Sequence, residues 1–245
     1  MPVSRRFHFS VDDVIDALIE VTDKQIPMFQ HPTFGLFKEL NDRYGLTVDL
    51  YLFYQKEING VVRTLSEVRD LRLELETAGN FLRFGPHALD YPNPPHSQTP
   101  EEAEASMERI YKEIDRFAGQ KHKSKELRLH FYSETYELAD FFTKNGVDLL
   151  FSTDRAVGSY RLPISRTKKL LQKGEVSYLG TKFVRTHYRL EFLAEEKTSD
   201  SELKKYYDQM LSSYGYVVCY THECELSRPE IRSLLEKSAM LAATW

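Results

Sequence analysis

Two adjacent carboxylates, Asp12 and Asp13, close the alternating aromatic and β-branched run Phe7-His8-Phe9-Ser10-Val11 near the N-terminus. Neighbouring acids at the end of an apolar strand repel one another and lose hydration, so the pair calls for a compensating cation, a metal ion or an arginine. A second reading stays open, in which one of the two caps the helix that follows. Imidazoles stand at comparable places. His87 follows Phe81-Leu82-Arg83-Phe84-Gly85-Pro86, His130 falls late in Leu127-Arg128-Leu129-His130-Phe131-Tyr132, and His222 ends Val217-Val218-Cys219-Tyr220-Thr221-His222. One carboxylate with two neutral imidazoles makes a three-donor set for zinc or another divalent ion, with positions left for water and substrate. The spacing is not that of a local motif, because His87 and His96 lie on an irregular proline-rich loop, Gly85–Gln98, rather than on a helix face. The other histidines read as structural. His8 packs inside its strand, His31 precedes Pro32 in a turn, and His122 lies in the surface run Lys121-His122-Lys123-Ser124-Lys125. His187 is mid-strand, and alternation decides which way it faces.

These groups need a frame that brings strand ends together. Apolar segments of strand length fall near Phe7–Val11, Leu46–Tyr54, Phe81–Phe84, Leu127–Tyr132, Val147–Ser152, Phe183–Phe192 and Tyr216–Tyr220. Near-continuous apolar character marks strands covered on both faces. Amphipathic segments alternate with them. Thr99-Pro100-Glu101-Glu102 carries a cap, a first-turn proline and a capping-box glutamate, and Ser199 with Glu202 repeats the box. Ser227-Arg228-Pro229-Glu230 opens another helix, while Phe34–Tyr44 and Thr135–Asn145 end just before Gly45 and Gly146. Strand and helix in alternation predict an α/β fold, a distorted (β/α) barrel of about seven parallel strands occupying residues 1–245 as a single domain. In such a barrel the C-terminal strand ends converge on one face, where sites are built.

Composition excludes several classes. The net charge of -4 over 245 residues gives no electrostatic case for nucleic acid or an anionic membrane. The longest apolar runs are strand-length, too short to span a bilayer. The basic pair Arg5-Arg6 is followed by a stretch interrupted by His8, Ser10, Asp12 and Asp13, unlike an export signal. Two cysteines, Cys219 and Cys224, make no disulfide framework and fit a reducing cytoplasm.

With these segments in order, the chain resembles the polysaccharide deacetylase superfamily, the NodB-type carbohydrate esterases. Val11-Asp12-Asp13 is similar to the family's first motif, an apolar strand ending in a double Asp. The resemblance implies Asp12 as general base and Asp13 as metal ligand. The family's second motif is a pair of metal-binding histidines four apart; here His87 is in place, position 91 is Tyr91, and His96 is the nearby candidate for the second ligand. Arg128-Leu129-His130-Phe131 resembles the arginine motif, with His130 in place of the family's proline, and it implies Arg128 as partner of the base. Ser152-Thr153-Asp154-Arg155 stands where the fourth motif falls, and the strand ending in His222 matches the fifth, whose histidine is the general acid. Asp154 is the candidate to orient His222. His130, Phe131, Tyr132, Tyr91 and Asp154 fall on the substrate side, where aromatic rings stack on sugar faces. The implied activity is metal-dependent hydrolysis of an N-acyl (acetyl) group on a carbohydrate, with a divalent ion, zinc by its donor set, as cofactor. Two alternatives are a saccharide-binding relative without the metal and a metal-dependent phosphoesterase. Against the latter, the sequence has no glycine-rich phosphate cradle.

Overall fold

The computed structural model describes residues 6–135, 137–153 and 160–245. Its β-branched and aromatic runs form β1 (Phe7–Val14), β2 (Val48–Phe53), β3 (Gln55–Ile58), β4 (Val61–Thr64), β5 (Leu82–Ala88), β6 (Glu126–Leu127), β7 (Leu149–Ser152), β8 (Glu175–Tyr178), β9 (Thr181–Arg185), β10 (Tyr188–Arg189) and β11 (Val217–His222). One parallel sheet has the order β10-β11-β1-β2-β5, and a second runs β6-β7-β9-β8. β9 and β10 are successive parts of one bent path. The first pairs with β7 and the second with β11, and between them Thr186 N–H donates to the Ser152 carbonyl and His187 N–H to that of Val218. β5 and β6 are joined through a bridge between Phe84 and Lys123 and the hydrogen bond from Ser124 N–H to the Phe84 carbonyl. Counting the bent path once, seven parallel positions close a ring: β1, β2, β5, β6, β7, β9 with β10, and β11. This is the distorted barrel that the alternation of segments predicts. β3 pairs antiparallel with β4, and β8 antiparallel with β9.

Alternation along β1 separates two environments. Phe9 and Val11 are fully buried in the apolar cluster that also holds helix residues such as Met107, Ile110 and Ile114. His8, Ser10 and Asp12 face the barrel interior, where they meet groups from other strands. At the floor His8 Nδ1 is 3.0 Å from Glu126 Oε2 and 3.6 Å from Asp49 Oδ2, and Arg83 pairs with Asp49. In the middle Arg128 NH1 donates to Ser10 Oγ at 2.7 Å, and its guanidinium lies 3.9 Å from the centre of the Tyr220 ring. At the top are Asp12, His87 and His222. A small apolar cluster of Leu149, Phe151, Val184 and Val218 fills the opposite wall with Tyr216.

The helices begin largely as their cap residues dictate. Thr99 and Ser199 each complete a capping box, for helices Pro100–Phe117 and Asp200–Tyr214. Five expectations are corrected. The strand expected over Leu127–Tyr132 stops at Leu127, and the chain turns through His130–Tyr132 with φ of 53° at Phe131 and 51° at Tyr132. The run Phe183–Phe192 breaks into β9, β10 and the helix Leu190–Glu195, because the ring changes partner there. The helix expected over Thr135–Asn145 is Leu138–Lys144, and the last helix, Pro229–Ala242, starts without a side-chain cap; Ser227 Oγ instead donates to the Cys224 carbonyl. His122 is fully buried rather than on the surface, with Nδ1 donating to the Leu82 carbonyl. His187 faces away from the barrel mouth, stacked on Tyr214 and Tyr216, and accepts from Val218 N–H.

Candidate functional site

Asp12 and Asp13 both line one cavity, although successive strand residues ordinarily face opposite sides. The backbone accounts for this. Asp13 has φ of 63°, and the register of β1 against β2 shifts between Val11 and Val14, so the strand end turns and both carboxylates face the same way. Neither is a helix cap. The helix Asp16–Asp23 has Ile15 at its N-cap, and the backbone N–H groups of Ile15, Asp16 and Ala17 donate to the buried Glu223 at 3.0, 2.8 and 2.9 Å. The N-cap alternative is thereby removed, and the residue after His222 ties the end of β11 to the end of β1.

Asp12 is buried beside Arg128, whose NH1 donates to its Oδ1 at 3.0 Å. Arg128 is itself fully buried, also bonded to Ser10 and to Thr186 Oγ1 at 3.3 Å. Such a cation is tolerated only with partners on several sides.

Asp13 Oδ1 lies 3.1 Å from His87 Nε2 and 3.5 Å from His130 Nδ1, and the two ring nitrogens are 3.2 Å apart. His87 Nδ1 donates to the Arg128 carbonyl at 2.6 Å, which leaves the Nε2 lone pair facing Asp13. Among the described residues, Asp13 Oδ1 is buried with no hydrogen-bond partner, and so is His130 Nε2. Burial, reinforced by the neighbouring His87, pushes the His130 pKa down to about 4, so its ring is neutral and can act as a donor. Burial raises the Asp13 carboxyl, but the neighbouring His87, with His222 and His130, outweighs it and holds the group below its ordinary value. Three donor atoms, the Asp13 oxygen with His87 Nε2 and His130 Nδ1, thus converge on one point. That donor set fits a divalent ion such as zinc.

His130 therefore belongs to the donor group and not to the substrate side alone. His96 does not join it. It is exposed on the turn Pro95–Ser97 and outside the converging group, because β5 carries on through Pro86 to Ala88 and the proline-rich loop then leads away.

His222 lines the same cavity at the end of β11, beside Asp12 on β1. Its Nδ1 is 2.7 Å from Glu191 Oε1, which also accepts from the His222 backbone N–H at 2.9 Å. Burial disfavours the imidazolium, yet the Glu191 hydrogen bond and the charges of Asp12, Glu191 and Asp13 prevail and raise the pKa above 6.5. Asp154, the expected orienting acid, lies outside the described residues. Glu191 escaped the sequence reading because it fell inside an expected strand; the signal available was an acid near the end of an apolar segment, as at Asp12.

The cavity measures about 430 Å³ and is also bordered by Thr153, Arg189 and Tyr220. Arg189 Nε donates to the Tyr220 hydroxyl at 2.6 Å. At the mouth, Tyr91 and Phe131 are exposed, with ring centres 5.6 Å apart, and Tyr132 closes a wall through its hydroxyl, 2.8 Å from that of Tyr220.

The seven-position barrel has the fold of solved polysaccharide deacetylases. No family model matches the sequence, and no curated protein matches it. Among solved structures, a family 4 carbohydrate esterase from Streptomyces lividans in complex with acetate is similar over 98% of this chain and 89% of its own, at 10% identity and a TM-score of 0.50. The Bc1960 peptidoglycan N-acetylglucosamine deacetylase is similar over 98% of this chain and 83% of its own, at 12% identity and a TM-score of 0.51. A 4-alpha-glucanotransferase from Thermococcus litoralis matches 95% of this chain with 37% of its own, at 11% identity and a TM-score of 0.53. At such identities the likeness is one of fold, and a shared fold hosts different chemistries.

Proposed function

We propose that this chain is a metal-dependent hydrolase that removes an N-acyl group, in the simplest case acetyl, from a carbohydrate. The observation that carries the reading is the convergence of Asp13 Oδ1, His87 Nε2 and His130 Nδ1 within 3.5 Å of one another, in a cavity also lined by Asp12 and His222, which are neighbours on β1 and β11. Asp13, His87 and His130 would hold the ion. When bound, it supplies a Lewis acid that polarises an acyl oxygen and eases the deprotonation of water.

The protein's own groups divide the proton work. Asp12, oriented by Arg128 and facing the cavity, accepts the proton of the attacking water. His222, whose protonated form Glu191 favours, delivers a proton to the departing nitrogen as the C–N bond breaks, so that the amine leaves neutral. Tyr91 and Phe131 offer ring faces at the mouth to the apolar side of a sugar. The similarity of fold to an N-acetylglucosamine deacetylase supports this choice of substrate class.

Acetate release from N-acetylated chitooligosaccharides, measured with zinc-loaded protein and with Asp12→Asn, tests the reading. Release by wild type and its loss by at least a hundredfold in the variant are expected. A protein that binds zinc and the sugar but releases no acetate would instead favour a saccharide-binding role.

A further inference from the structure

A second cavity, of about 670 Å³, opens away from the barrel mouth between the helix Ile164–Lys173, the β8–β9 hairpin and the start of β11. Lys169, Lys173, Lys182 and the acid Glu175 border it, with Val176, Ser177, Tyr214 and Tyr216. Charge in this region departs from that of the chain. Residues 164–185 contain Arg166, Lys168, Lys169, Lys173, Lys182 and Arg185 against the single acid Glu175, in a protein of net charge -4. Glu175 is already engaged, with Lys182 Nζ 2.8 Å from its Oε2. The helix itself holds four cations and no acid, and Lys169 and Lys173 lie four apart, a like-charge arrangement that destabilises an isolated helix. Neither has an acidic partner among the described residues, whereas Lys24, Lys38 and Lys204 each pair with an acid four positions away on their own helices.

Behind the lysines, the aromatic wall is fixed. The Tyr214 hydroxyl donates to the Leu171 carbonyl and accepts from Arg185 NH1, and the Tyr216 hydroxyl donates to the Gly174 carbonyl. With their polar ends tied inward, the rings contribute carbon surface to the cavity. The buried Nε of Arg185 has no hydrogen-bond partner and adds fixed positive charge beneath it.

We propose that this cavity binds an anionic polysaccharide, with phosphate, sulfate or carboxylate groups on Lys169, Lys173 and Lys182 and a sugar ring against Tyr214. Cations and an aromatic face on one wall match that chemistry, since the lysines act as point charges for anions and the ring packs on the apolar face of a sugar. The site lies at the N-terminal end of β11 and the candidate catalytic cavity at its C-terminal end. Six residues of strand separate them, roughly 20 Å at 3.3 Å per residue. A chain of several sugars can therefore be held at a distance from the barrel mouth. The proposal does not depend on the hydrolase reading, because it concerns other residues.

Retention of dextran sulfate by the intact protein tests it, measured by isothermal titration at low and moderate salt, with neutral dextran and inorganic sulfate as parallel probes. Micromolar binding of dextran sulfate that weakens at least tenfold in Lys169→Ala/Lys173→Ala/Lys182→Ala, but not in Lys112→Ala/Lys144→Ala, is expected, together with a shallower salt slope in the triple variant. Equal retention by the triple variant, or no binding by wild type, overturns the proposal. Binding of inorganic sulfate as tight as that of the polymer would reduce the site to one for a free anion and would also overturn it. Circular dichroism of the triple variant, expected to match wild type because Lys169 and Lys173 are exposed and Lys182 is only half-buried, separates lost binding from lost folding.

Discussion

At the residue scale, the roles turn on which nitrogen and which oxygen face the cavity. His130 occupies a position that the sequence placed on the substrate side, and His96 was the expected ligand. The difference lies in a turn that periodicity cannot foresee, since two consecutive non-glycine residues at positive φ aim His130 inward. Tyr91 lines the same cavity, with its ring 5.0 Å from that of His130. His96→Ala is therefore expected to leave zinc stoichiometry unchanged, and His130→Ala to abolish it. Adding Tyr91→His to the latter returns an imidazole to the group and should restore part of the binding, by metal analysis after gel filtration. A second outcome concerns pH. The pKa of His222 is raised by Glu191, so the group stays protonated to higher pH than a free histidine and is lost as an acid when pH rises through its folded value. Glu191→Gln removes that support. The alkaline limb of the kcat profile should move to lower pH, and a limb that stays in place would exclude His222 as the titrating acid.

At the element scale, the site depends on where strands end and how they are joined. The alternation of β-type and helical segments and the apolar runs closing in Asp12, His87 and His222 were legible in the sequence, because local patterning sets them. The two breaks, after Leu127 and at Thr186, were not, because they arise where the ring changes partner and no local signal marks that. The weakest joint is β5 against β6, and Gly85 sits at it. A Cβ there would collide with the side chain of Leu127 and come within 3.5 Å of Ser124 Cβ. Gly85→Ala should push β6 outward, separate His87 from Arg128, and cost about 1–3 kcal/mol in urea unfolding. Glu223→Ala leaves three N–H groups at the start of helix Asp16–Asp23 without their acceptor, and a loss of about 1–2 kcal/mol is expected by the same assay.

At the scale of the whole molecule, the barrel interior is polar from floor to mouth along one wall, and Arg128 links its layers. The family resemblance implied Arg128 as the partner of Asp12, whereas its contacts with Ser10, Thr186 and Tyr220 follow only from closure of the ring. The converging donors at the top leave Asp13 Oδ1 unsatisfied, so an ion bound there stabilises the folded chain by mass action. Zinc at a hundredfold excess over its dissociation constant adds about 2.7 kcal/mol, which for a chain of this length is roughly 5–10 °C in Tm. A Tm that zinc leaves unchanged would count against a folded-state site.

The most direct measurement is a zinc titration of metal-free wild type beside His130→Ala, followed calorimetrically. The account predicts one ion per chain for wild type and at least a hundredfold weaker binding for the variant. No binding by wild type, or equal binding by both, would contradict a centre built from Asp13, His87 and His130.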